Sequence, residues 1–175
     1  MASSDPPNTP SCPVDHCPIP VDIAIKSSDG RTFGAHAKNL EWFTEGFPLV
    51  DSVISTVQEP VELTEDGDVL ALLLTFTHNL PAPDLTGRSI DAVMGLADAA
   101  DKYGVHYALV ACRKAMRSLS EDSECNALRI VKYKASHNDL EDIDYIAPRT
   151  MNFSIVHVLE FFGEDHAKPF WRWVR

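Results

Sequence analysis

The residues most able to do chemistry in this chain sit near its start, where "CPVDHC" brings Cys12, His16 and Cys17 close together. Thiolates and imidazoles are zinc ligands, but a zinc site takes about four of them, usually as two separated pairs. No second pair follows at such spacing, so the segment predicts unstructured thiols, with no metal and no cofactor. A second candidate is Cys112, with His106 and Asp101 nearby as base and orienting acid. Positions six apart on a helix face different sides, so no base lies over the sulfur, and Cys112 is expected in the core. "SSDG" and "LTGRS" lack both the lysine and the spacing of a phosphate-binding loop. No catalytic residue is predicted. A thiol or metal-dependent enzyme stands only as an alternative of another class.

What must position these residues is a chain of 175 residues, 45% hydrophobic and 23% charged, a composition that folds around a core. Its length suits one domain with appendages. The net charge of -11 excludes nucleic acid as an expected partner, because phosphate contacts need clustered lysine and arginine. The one dense basic group, "RKAMR" from Arg113 to Arg117, reads as a solvated helix face. No apolar run is long enough to span a membrane and no secretory signal opens the chain, so an intracellular protein with reduced cysteines is expected, in cytoplasm or nucleus.

Six of the twelve prolines fall within residues 1–20, which predicts a disordered or extended leader. From Val21 the pattern changes. Val21, Ile23 and Ile25 alternate with Asp22, Ala24 and Lys26 as a strand with one apolar face, "SSDG" turns the chain, and "RTFGAH" returns as a second strand. Leu40, Trp42, Phe43 and Phe47 predict a short helix, and "PVELTED" a third strand. Thr64 and Asp66 can cap the apolar helix "DVLALLLTFTH". Ser89 opens and Gly104 closes a longer helix, with Ile90, Val93, Met94, Ala97, Ala100 and Tyr103 as its stripe. The next helix is expected to bury Leu109, Val110, Cys112 and Met116, a further one starts at "SEDSEC", and a last one carries the stripe Met151, Ile155, Leu159 and Phe162. Strands gathered early and helices afterwards make an α+β fold, a small three-stranded sheet covered by a helical cluster.

The same segments, in this order, resemble BTB/POZ domains. Asp22 to Ile25, Phe33 to His36, Leu40 to Phe47 (with Thr44 in place of a serine), "VELTEDGDVLALLLTFTH" and "VMGLADAADKYGVHYALVAC" match the family's successive motifs. The wording "FTEGFP" is similar to stand-alone BTB proteins of mushroom-forming fungi. The resemblance implies a BTB/POZ domain over 21–118, after the leader 1–20, with a helical extension over 119–175. It implies a non-enzymatic protein–protein interaction module, a scaffold or adaptor mediating homotypic or heterotypic assembly. Asp22, His36, Asp101, Lys102 and Tyr103 would be motif residues with structural duties.

Departures from the family narrow the expected partners. Ala37 stands where corepressor-binding relatives carry a lysine, with the charge at Lys38, and the proline-studded leader cannot form the helix of the swapped dimer. Adaptors of cullin-type ubiquitin ligases carry a "hydrophobic-x-E" element, matched here by Val57, Gln58 and Glu59; Val57 and Glu59 are candidate contacts with such a scaffold. Phe170, Trp171 and Trp173 close the chain, and either pack on the last helix or dock a partner.

Overall fold

The computed structural model describes residues 10–47 and 59–163. Strand β1 (Ile23–Lys26) is joined by a turn to β2 (Thr32–Ala35), and helix α1 (Ala37–Phe43) follows. After β3 (Val61–Glu62) come α2 (Gly67–Thr75), α3 (Ile90–Tyr103), α4 (His106–Asp122), α5 (Glu124–Ser136) and α6 (Ile143–Ile146), then a 3-10 turn (Ala147–Thr150) and α7 (Ile155–Phe162). The architecture is α+β: one three-stranded sheet in the order β2-β1-β3, followed by helices. The chain divides after Cys112 into two compact units.

β1 pairs antiparallel with β2, Ile23 opposite Ala35 and Ile25 opposite Phe33, and parallel with β3, Ile25 opposite Val61. Alternation along β1 predicts one buried face, yet Ile23, Ala24 and Ile25 are all buried. Ala24 lies opposite Gly34, and the Pro10 carbonyl and the Val21 side chain close over Gly34 on that second face. The hairpin turn is locked by its own side chains. The Ser27 hydroxyl bonds the Asp29 carboxylate, which also accepts from Arg31 Nε at 2.9 Å and from the Gly67 N–H at 3.2 Å. That last bond satisfies one of the orphan donors at the start of α2, and Asp66 satisfies another by accepting from the Val69 N–H at 2.9 Å. The hairpin tip is thereby tied to the helix that packs on the sheet.

β2 is an edge strand, and residues 10–21 cover it. The Gly34 N–H donates to the Ser11 carbonyl at 2.8 Å. A Cβ at Gly34 would lie 2.6 Å from the Pro10 carbonyl oxygen and from a Val21 methyl, so only glycine admits the covering segment this closely. The prolines do keep residues 10–20 out of helix and strand. They do not leave that stretch without fixed partners, because extended backbone next to an open sheet edge finds donors there.

α3 begins as expected, with the Ser89 hydroxyl accepting from the Ala92 N–H, and ends at Gly104 with φ 67°. Its buried side differs in part from the expected stripe: Leu96 and Ala99 are buried and Met94 is only half-buried. The Gly104 N–H reaches the Asp101 carbonyl and the Val105 N–H the Ala100 carbonyl at 2.8 Å. A side chain at 104 would meet Glu45 Cβ at 2.7 Å in addition to the left-handed strain. Gly104→Ala is expected to lower stability by about 1–2 kcal/mol or more, read as a shift in the urea midpoint at unchanged slope.

Three other expectations are corrected. Val110 is 65% exposed, because α4 turns the face bearing Ala108 and Cys112 inward. "SEDSEC" does not open one helix: Ser120 to Asp122 end α4, and Ser123 caps α5 by accepting from the Asn126 N–H. On α7 the buried residues are Val158 and Phe162, with Met151, Ile155 and Leu159 exposed. Met151 precedes the helix, which Ser154 caps by accepting from the His157 N–H, and so cannot share its stripe; Val158 and Phe162, four apart, form the inward face.

In the second unit, Lys134 is fully buried and donates to Asp139 Oδ2 at 3.0 Å. The basic cluster is engaged there too: Arg113 pairs with Asp139 and Glu141, and Arg117 with Asp142 while stacking on the Tyr145 ring. Lys132 fastens α7 to α5 by donating to the Phe161 carbonyl at 2.8 Å.

Candidate metal centre

The motif residues have local structural partners. The Asp22 carboxylate accepts from the Ala37 N–H at 2.7 Å, at the start of α1. Lys102 Nζ and the Tyr103 hydroxyl both donate to the Glu65 carboxylate, each at 2.7 Å, joining α3 to the loop after β3. Burial alone would raise Glu65, but these two donors hold it below the usual carboxylate range; burial, chiefly, pushes the Tyr103 phenol up to about 12. Asp101 is exposed and lends its carbonyl to the α3 cap.

Cys112 is 1% exposed and burial pushes its thiol up to about 12, so it is protonated and shielded at neutral pH. His106 faces Glu45 at 3.0 Å instead of the sulfur. Glu59 is exposed, while Val57, Phe170, Trp171 and Trp173 lie outside the described residues. Among the described residues no helix is long and apolar enough to cross a membrane.

The residues that converge are Cys12, Cys17, His36 and His78, whose ligand atoms all lie within 4.8 Å of one another. Each is delivered differently. Cys12 and Cys17 flank a turn closed by the Cys17 N–H on the Val14 carbonyl, on the segment that covers β2. His36 is the extended residue between β2 and α1, and His78 follows the end of α2. Cys12 Sγ is 3.4 Å from His78 Nε2; Cys17 Sγ is 3.3 Å from His36 Nε2 and 3.6 Å from His78 Nε2.

Both imidazoles are oriented by backbone. His36 Nδ1 lies 2.9 Å from the Pro20 carbonyl oxygen, and His78 Nδ1 lies 2.9 Å from the Leu74 carbonyl oxygen. A carbonyl only accepts, so each Nδ1 carries the proton and each Nε2 presents a lone pair toward the sulfurs. Burial is the main cause holding His78 below the ordinary histidine value, and the nearby His36 adds to it. Burial also raises the Cys12 thiol, with Cys17 acting in the same direction against the Val14 N–H.

His16 is exposed and takes no part, although the sequence groups it with the two cysteines. The residues that face the two cysteines are His36 and His78 instead. Cys17 and His36 are 19 residues apart and Cys12 and His78 are 66 apart, so no compact motif announces them. The only local signal was a histidine at a strand end and another at a helix end. No protein-family model and no curated protein matches the chain.

Proposed function

We propose that this chain is a protein–protein interaction module of the BTB/POZ type, acting by surface contact and not by making or breaking covalent bonds. The sequence motifs support this reading through their order, and the α+β arrangement is compatible with it. The observation that carries it is an exposed apolar surface in the first unit. Tyr107 and Val110 lie three apart on α4 and are 69% and 65% exposed, and the Tyr107 ring meets Phe43 with centroids 6.5 Å apart. Trp42, next to Phe43 on α1, is 75% exposed. Side chains of this size cost solvation free energy when left in water, and tyrosine and tryptophan dominate the energetics of protein interfaces. The partner is another protein surface, on a second copy or a different chain.

The test is a Tyr107→Glu, Val110→Glu double variant. The wild-type chain is expected to self-associate in a light-scattering concentration series or to retain a defined partner through purification. The double variant is expected to weaken that association at least tenfold, since central interface residues contribute about 2 kcal/mol or more, with an unchanged thermal midpoint. Association identical to wild type would overturn the assignment of this surface.

A further inference from the structure

We infer that Cys12, Cys17, His36 and His78 bind one Zn2+ ion in a closed structural site that fastens the proline-rich segment to the sheet edge and to the end of α2. With zinc–sulfur bonds of about 2.3 Å and zinc–nitrogen bonds of about 2.0–2.1 Å, tetrahedral coordination puts a sulfur and a nitrogen about 3.6 Å apart. Three of the four sulfur–nitrogen separations, 3.4, 3.3 and 3.6 Å, are already close to this length, and the fourth pair lies within the 4.8 Å that encloses all four ligand atoms. Two separate S–H···N hydrogen bonds would satisfy the same atoms in pairs, but they give no reason for all four to gather around one point.

Chemistry favours the same reading. Two thiolates and two neutral imidazoles around a divalent cation sum to zero charge, which suits His36 and His78, 2% and 7% exposed. On binding, the two thiols lose their protons to the buffer while each histidine keeps its Nδ1 proton on the carbonyl that already accepts it. The carbonyls of Pro20 and Leu74 thus act as the outer shell that aims a metal-ligating imidazole. The Val14 N–H, 3.4 Å from Cys12 Sγ, supplies the same service to a thiolate. Four protein ligands leave no position for water or substrate, so the ion is structural and not catalytic.

The site also accounts for the leader. Prolines bar residues 10–20 from regular structure, and their contact with β2 includes a single backbone bond at Gly34. A metal linking Cys12 to His78 closes a long stretch of chain and favours the folded form through the unfolded state's entropy as well as through the bonds themselves.

The experiment uses the full, untagged chain purified without added chelator. Elemental analysis should find one zinc per chain, and X-ray absorption should show two sulfur and two nitrogen neighbours. After zinc is removed, Co2+ alone should produce the visible bands of tetrahedral cobalt with a thiolate charge-transfer band, and a lowered thermal midpoint should return on adding Zn2+. His16→Ala should keep full stoichiometry, whereas Cys17→Ser and His78→Ala should each lower it at least tenfold at a limiting zinc concentration. Should those variants fold poorly, His78→Cys preserves a four-ligand set and should retain the metal. Overturning results are a folded wild-type chain that takes up neither Zn2+ nor Co2+, zinc uptake indifferent to His36→Ala and His78→Ala, or a native disulfide between Cys12 and Cys17.

Discussion

Asp139→Ala is expected to destabilise the second unit by about 3–5 kcal/mol, the cost of leaving a buried charge without its partner. Lys134 is fully buried and its ammonium donates to Asp139 Oδ2 at 3.0 Å. Removing the carboxylate strands that ammonium, whereas Arg113, which also reaches Asp139, is 38% exposed at its side chain and stays solvated. The double variant Lys134→Met, Asp139→Ala should therefore regain most of the loss, since a methionine fills the lysine's space with no charge to solvate. A double variant as unstable as the single one would show that packing around residue 139, not charge pairing, is what matters.

The same carboxylate sets a pH dependence. Burial would raise Asp139, but the Lys134 hydrogen bond, the Glu141 N–H and the charges of Lys134 and Arg113 overcome it and hold it below its ordinary value. A carboxyl lowered by folding contributes stability in full above its unfolded value of about 3.9, and loses it as pH falls through the lower folded value. Thermal midpoints of wild type should fall in acid more steeply than those of the Lys134→Met, Asp139→Ala variant, in which this group is absent.

Leu96→Ala should cost about 2–5 kcal/mol, because Leu96 is fully buried on α3 and truncation leaves a cavity in the core. Val110→Ala, on the exposed face of α4, should change stability by no more than about 0.5 kcal/mol. Urea unfolding of the two variants side by side checks both. Comparable losses would mean that α4 is rotated and that Val110 is a core residue, as its position in the apolar pattern first implies.

That pair marks how far periodicity carries. On α3 the pattern places Ile90, Val93, Ala97, Ala100 and Tyr103 inward as found, because one wide face meets the core. In the first turns of α4, residues 107–112, and along α7 apolar residues occur on most sides, so pattern alone does not choose among Val110, Cys112, Ile155 and Val158. Caps were more legible, since a cap is a contact within one turn: Asp66, Ser89 and Gly104 do what their types and positions imply. Lys134 was not legible as a core residue, because its burial depends on an acid that only the chain reversal after α5 brings back to it.

The metal centre divides the same way. Cys12 and Cys17 are visible as possible ligands because the two sulfurs are close along the chain; His16 is equally close, but the fold leaves it exposed and outside the cluster. What sequence by itself determined was the α+β order of elements, the turn at "SSDG", the helix caps and the exclusion of regular structure from the proline-rich segment, all set by interactions over a few residues. Tertiary structure alone decided that this segment lies on the edge of β2, that His36 and His78 face its cysteines, and which sides of α4 and α7 are covered. Those outcomes depend on closing loops as long as the 66 residues from Cys12 to His78, and no local propensity records where such a loop ends.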